Sequence, residues 1–233
     1  AGTSEAPVIT TYTVNQTPGE ANYTTIQSAV DAVPSNSIIL ITDKKTYSET
    51  VTIPTTKVLT IKGYGGFVGQ STGGLGAGPF ISNIVVNSIA TDSNVFDSLT
   101  IEALTINAGS NNLNILKYCC FPFGSGIIVV TSGKLLATNC TIYTVTTSAN
   151  TQVSINDYIA ASGFFTINGI FNTKNSGSLV GSVTTPGHNV NAGGRWFSQY
   201  DVLAVGINAG LGTINIVGSL PLDTTQIHKR NFY

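Results

Sequence analysis

Brief β-prone segments recur along most of this chain, and that recurrence constrains the fold more than any other feature. From Phe80 onward the sequence runs through Ile81–Val86 (ISNIVV), Leu99–Asn107 (LTIEALTIN), Leu113–Leu116 and Ile127–Thr131. Leu135–Val145 (LLATNCTIYTV), Gln152–Ile155, Phe164–Phe171 (FFTINGIF) and Ser178–Val183 follow, with Asn, Gly or Ser between segments. Residues 99–106, 135–142 and 164–171 share one template, an apolar pair, a polar turn and a second apolar pair, at offsets of 36 and 29 residues. Unequal offsets of this size suit stacked coils with loops of variable length. A single coil exposes an apolar interior edge and unpaired backbone groups, and a second coil about 4.8 Å above it satisfies both. Asn139 and Asn168 occupy the same template position, so they are expected to stack and satisfy one another.

Ahead of these segments, Tyr23–Gly66 reads as one amphipathic helix and then short strands. Ile26, Ala29, Val30 and Val33 fall at i, i+3, i+4 and i+7, an apolar stripe on a helix of about 25–33. Thr24-Thr25-Ile26-Gln27 fits a capping box in which Gln27 reaches back, and Pro34 stops the helix. Ser37–Thr42, Val51–Ile53 and Val58–Lys62 then read as strands.

The succession T-I-Q-x-A-V-D-A-x-P, Y-x-E-x-V-x-I-P and L-T-I-x-G in Tyr23–Gly66 resembles the opening of pectin methylesterase-like and related right-handed parallel β-helix proteins. The resemblance covers about a fifth of the chain. It implies an all-β fold, a single-stranded right-handed parallel β-helix (solenoid) with a short N-terminal capping α-helix. The organisation expected is an extended arm over 1–22, a β-helix domain over 23–221 and a C-terminal tail over 222–233. The arm's β-prone piece, Pro7–Val14, reads as a first solenoid strand or as a strand donated to a neighbour. Residues 63–79 hold eight glycines and read as a long surface loop; no Lys follows them, so they form no phosphate loop. The tail carries His228, Lys229 and Arg230, a solvated end or a docking point for an acidic neighbour.

Only 9% of residues are charged, against about 25% in ordinary domains, and the formal net charge is −1. Ser, Thr, Asn and Gly supply the polarity. No basic patch suits nucleic acid, and no apolar run approaches the roughly 20 residues of a membrane span. Low charge favours association over repulsion. The first residues carry neither a basic region nor an apolar core, and the chain starts at Ala with no Met, as expected of a processed form. Cys119 and Cys120 are adjacent, so in a strand they point to opposite faces and at most one meets Cys140. Buried free thiols are the expected state. Asn15, Asn22 and Asn139 head glycosylation sequons, Asn139 within a coil turn.

The same resemblance directs attention to a cleft. Pectin methylesterases carry two aspartates, glutamines for the oxyanion and an arginine with a tryptophan. Asp157, in DYIAA, resembles the nucleophile, and Arg195 and Trp196, in GGRW, resemble the clamp. The proline of the family's G-R-P-W motif is absent. No Asp or Glu lies between Asn139 and Asp157, and Ser125-Gly126-Ile127-Ile128 replaces the glutamine segment. Ester hydrolysis needs a nucleophile, a proton donor and an oxyanion site, and only the first has a candidate. The remaining acidic residues are scattered apart from Asp92, Asp97 and Glu102, and His188 is expected in a loop. Asp157, Arg195, Trp196 and Tyr200 are therefore candidate glycan contacts, aromatic faces stacking on sugar rings. The expected function is a non-enzymatic structural or adhesive subunit of an extracellular assembly, a virion capsid, spike or fibre. Its partners would be other structural subunits or itself, a trimer included, and surface glycans, with no cofactor. The alternative is a secreted carbohydrate-active enzyme, pectin esterase-like or lyase-like, or its glycan-binding relative.

Overall fold

Alternation of buried and more exposed side chains runs through strand after strand of the computed structural model, in Ser37–Ile41 as in Leu59–Gly63. The structure describes residues 9–64, 78–122, 124–157, 165–174, 179–180, 188–199, 202–204, 207–208, 212–217, 220–221 and 227–228. In chain order its elements begin with β1 (Thr11–Val14), α1 (Ile26–Ala32), β2 (Ser37–Ile41), β3 (Thr46–Ile53), β4 (Leu59–Gly63), β5 (Phe80–Val86) and β6 (Asn94–Asp97). Next come β7 (Thr100–Asn107), β8 (Leu113–Lys117), β9 (Ile127–Thr138), β10 (Thr144–Thr147), β11 (Thr151–Asn156), β12 (Phe165–Ile167) and β13 (Ile170–Lys174). The series ends with β14 (Leu179–Val180), β15 (His188–Val190), β16 (Arg195–Gln199), β17 (Val202–Ala204), β18 (Ile207–Asn208), β19 (Thr213–Val217), β20 (Leu220–Pro221) and β21 (Ile227–His228).

The strands pair in parallel. A first ladder runs β1–β2–β4–β6–β8–β9–β11–β13–β16–β19. A second runs β3–β5–β7–β9–β10–β12–β15–β18–β21. From β2 onward the chain visits the two alternately and climbs one strand per visit, which makes a parallel β-solenoid; β14, β17 and β20 form a short third sheet. Strand β9 serves both ladders, Ile127–Val130 in the second and Gly133–Thr138 in the first. Gly133 sits at the change of direction with φ 91°, a conformation glycine adopts without steric cost.

The core is the stack of inward columns. In the second ladder Val51, Ile84, Leu104, Ile128, Val145 and Phe165 follow one another in register, all buried. Each such side chain contributes about 1.5–3 kcal/mol on leaving water. The first ladder holds the register Asn94, Asn114, Leu135, Val153, Phe171, Trp196 and Ile214, also buried.

Helix α1 packs over β3, where the second ladder begins. Ile26, Ala29 and Val30 are buried in the core. Thr25 caps the helix, its hydroxyl accepting from Ser28 N–H at 3.2 Å. Gln27 does not reach back as a capping box requires. Its amide instead pairs with the edge of β3, accepting from Thr52 N–H at 2.6 Å and donating to Thr52 C=O at 3.3 Å. Glu49 of β3 supplies the missing acceptors for the Ile26 and Gln27 N–H groups, each at 2.9 Å. Lys57 Nζ donates to the Val30 and Asp31 carbonyls at the other end. The helix is thus tied side chain to strand edge, covering backbone groups that would otherwise template another chain.

Several sequence expectations need correction here. Of the two readings of the arm's β-prone piece, the first holds: Thr11–Val14 pairs with β2 as a first strand of the stack. Asn139 and Asn168 do not stack. Asn139 is the corner after a first-ladder strand, whereas Asn168 follows a second-ladder strand and its side-chain carbonyl accepts from Asn191 Nδ2 at 2.9 Å. The shared template therefore straddles two different corners. His188 lies in β15 and not in a loop. Residues 65–77 of the glycine-rich segment lie outside the described residues. Its flanking Gly63 and Gly78 both sit where a Cβ would stand 2.3 Å from the Ser98 carbonyl oxygen, so neither position admits a side chain.

Candidate functional site

A parallel strand sends neighbouring residues to opposite faces, and this decides the fate of the Arg195–Trp196–Phe197 cluster. In β16, Trp196 points inward and is fully buried. Its ring packs against Phe171 edge-on at 5.8 Å and against Phe165 at 6.4 Å between centroids. The indole Nε1–H donates to Thr173 Oγ1 at 2.9 Å, which satisfies its one polar atom inside the core. Trp196 is therefore not available as a stacking platform for a sugar. Arg195 and Phe197 point outward, and Phe197 is 41% exposed.

The outer face around them follows from register. Gln152, Ile170, Arg195 and Thr213 form one exposed column. Ser154, Asn172, Phe197 and Asn215 form the next, with Asn172 Nδ2 donating to Ser154 Oγ at 3.3 Å. Ile170 is 40% exposed beside Arg195. The surface thus offers a guanidinium, two apolar side chains and several amides and hydroxyls, a set able to stack on and hydrogen-bond a neutral polar ligand.

Asp157 lies elsewhere. It is the corner residue after β11, exposed and in the left-handed region at φ 50°. Ser98, Tyr118 and Asn139 hold the same place after β6, β8 and β9, at φ 58°, 52° and 53°. Each donates its N–H to the strand of the next turn: Ser98 to Lys117 O, Tyr118 to Thr138 O, Asn139 to Asn156 O and Asp157 to Lys174 O. Asn and Asp tolerate this conformation better than most residues. Asp157 belongs to this column of corners. Strand geometry and two turns of rise put it about 15–20 Å from Arg195, so the two do not form one cleft. Tyr200 lies outside the described residues.

Four of the other acidic side chains, Asp31, Asp43, Glu49 and Asp97, are engaged in holding the coil. Asp43 accepts from Tyr47 Oη–H at 2.7 Å and from Gln16 N–H at 2.9 Å. Burial, and then the Asp43 carboxylate beside it, push the Tyr47 phenol well above its ordinary pKa. Glu49 caps α1, and Asp31 accepts from Gln27 Nε2 at 2.7 Å. Asp97 pairs with Lys62 at 3.3 Å and accepts from Ser98 Oγ. Among the described residues no three of His, Cys, Asp and Glu are grouped to hold a metal, and no helix is long and apolar enough to cross a membrane.

Sequence reasoning misses Ile170 and the opposite orientations of Arg195 and Trp196. Period-two alternation across RWFSQ carries that information, since placing either residue fixes the other. No protein-family model matches the chain, and no curated protein sequence matches it. The structure shows a parallel β-solenoid, and no family match supports the likeness to pectin methylesterases.

Proposed function

We propose that the chain is a non-enzymatic structural and adhesive subunit of an extracellular assembly, a virion capsid, spike or fibre. The observation that carries this reading is the outer face of the second ladder. Thr52, Val85, Thr105, Val129, Thr146, Thr166 and Asn189 follow one another in register without a charge. The column beside it, Thr50, Asn83, Ala103, Ile127 and Thr144, is uncharged too, with Ile127 43% exposed. Charges on an exposed sheet face oppose association, and these two columns carry none. The face suits burial against another structural subunit or a second copy, in a dimer or a trimer. The engagement of Asp43, Glu49 and Asp97 in structural bonds supports the non-enzymatic part of the reading.

Light scattering on the purified chain tests it. The expected mass is a multiple of 24.2 kDa, reduced by Thr105→Lys and Thr146→Lys. A monomer at all concentrations, absent from particles, contradicts it. The second reading is a glycan-binding relative of a carbohydrate-active enzyme, favoured by the outward Arg195, Phe197, Ile170 and Asn172. Binding to a glycan array, lost in Arg195→Ala and Phe197→Ala, supports it. Deesterification or cleavage lost in Asp157→Ala would instead make the chain an enzyme.

A further inference from the structure

Cys119 and Cys140 occupy matching places on successive turns. Each follows a left-handed corner residue, Tyr118 and Asn139. Cys120 bridges Thr141 in parallel, Thr141 N–H donates to Cys119 O at 3.0 Å, and Phe121 N–H donates to Thr141 O at 2.8 Å. The residues just before that bridge are therefore stacked, and both turn inward, 0% and 1% exposed. Neighbouring parallel positions lie about 4.8 Å apart, inside the Cα separation of roughly 4.4–6.8 Å that a disulfide spans. In the present state both are thiols; Cys119 Sγ lies 3.4 Å from both Phe96 O and Lys117 O, and Cys140 Sγ 3.3 Å from Thr138 O. Burial, and then the hydrogen bond with Cys140, hold the Cys119 thiol well above its ordinary pKa, so Cys119 reacts slowly in the folded chain.

We propose that Cys119 and Cys140 are a cross-turn disulfide site, closed by a low-molecular-weight disulfide oxidant while the coils assemble. The two thiols lose two protons and two electrons as the Sγ–Sγ bond forms. The oxidant's own S–S bond breaks, and it leaves as two thiols. Once the turns close over the bond, the core shields it from exchange. The proposal does not rest on the assembly role, and its failure leaves that role standing.

The test refolds the reduced chain in a mixture of oxidised and reduced glutathione, alkylates remaining thiols and maps the links by tandem mass spectrometry. A Cys119–Cys140 link is expected, kept in Cys120→Ser and absent from Cys119→Ser and Cys140→Ser. Its reduction should lower the thermal midpoint by roughly 5–10 °C, with no such shift in Cys140→Ser. Circular dichroism identifies the samples that have refolded. The proposal is overturned if refolded protein carries alkylated Cys119 and Cys140, or if the link joins Cys120 to Cys140. Where refolding in vitro fails, the same alkylation on protein secreted into an oxidising compartment decides between these outcomes.

Discussion

One inward column of the first ladder solves the problem of filling its core in two ways. At β6 and β8 it presents Asn94 and Asn114, while at β13 and β16 it presents Phe171 and Trp196. The asparagines form a closed polar network. Asn94 Oδ1 accepts from Leu59 N–H, Asn94 Nδ2 donates to the Asn112 and Asn114 side-chain carbonyls, and Asn114 Nδ2 donates to Asn112 Oδ1 and Lys134 O. Asn112 Nδ2 in turn binds Ala90 O and Asp92 O, pinning the connection before β6. The aromatics fill space by contact and leave one polar atom, already matched to Thr173. Buried amides specify which loop docks at that turn, whereas the aromatic turn gains more from volume and tolerates less loss of it.

Substitutions can break or sharpen that contrast. Trp196→Ala should have the largest effect, about 4 kcal/mol of stability lost to a cavity in a packed turn, read by chemical denaturation. Asn94→Ala removes little volume but strands Leu59 N–H and the Asn114 side-chain carbonyl, at a cost of about 2–3 kcal/mol. If it costs as much as the tryptophan, polar matching is the stronger of the two devices. Trp196→Phe keeps much of the ring packing and loses the bond to Thr173, for about 1–2 kcal/mol. Lys62→Ala, which breaks the exposed pair with Asp97 outside the asparagine turn, should change stability by less than about 0.5 kcal/mol.

Much of the architecture is legible in the sequence because period-two alternation and turn residues are local signals. The helix is readable from Ile26, Ala29 and Val30, and Pro34 marks its end. Its fastening to β3 is not, because Glu49 and Gln27 meet Ile26 and Thr52 only after the chain has coiled. The Asn139–Asn168 pairing fails for a related reason: similar octapeptides fall on different corners, and only register separates them. In the candidate site, the resemblance supplies Asp157, Arg195 and Trp196 as a set, but a corner residue, an outward side chain and an inward one cannot share a cleft. The recurring left-handed corner at Ser98, Tyr118, Asn139 and Asp157 has no sequence signature, since four different side chains occupy one conformation.

Trp196 is the only tryptophan in the chain, so its intrinsic fluorescence reports directly on whether β16 turns this ring into the core. The structure predicts blue-shifted emission that resists acrylamide quenching, unchanged by added oligosaccharide and shifted red only on unfolding. Emission like that of tryptophan in water, quenched freely in the folded protein and protected by a glycan, would contradict the inward assignment and the division of faces built on it.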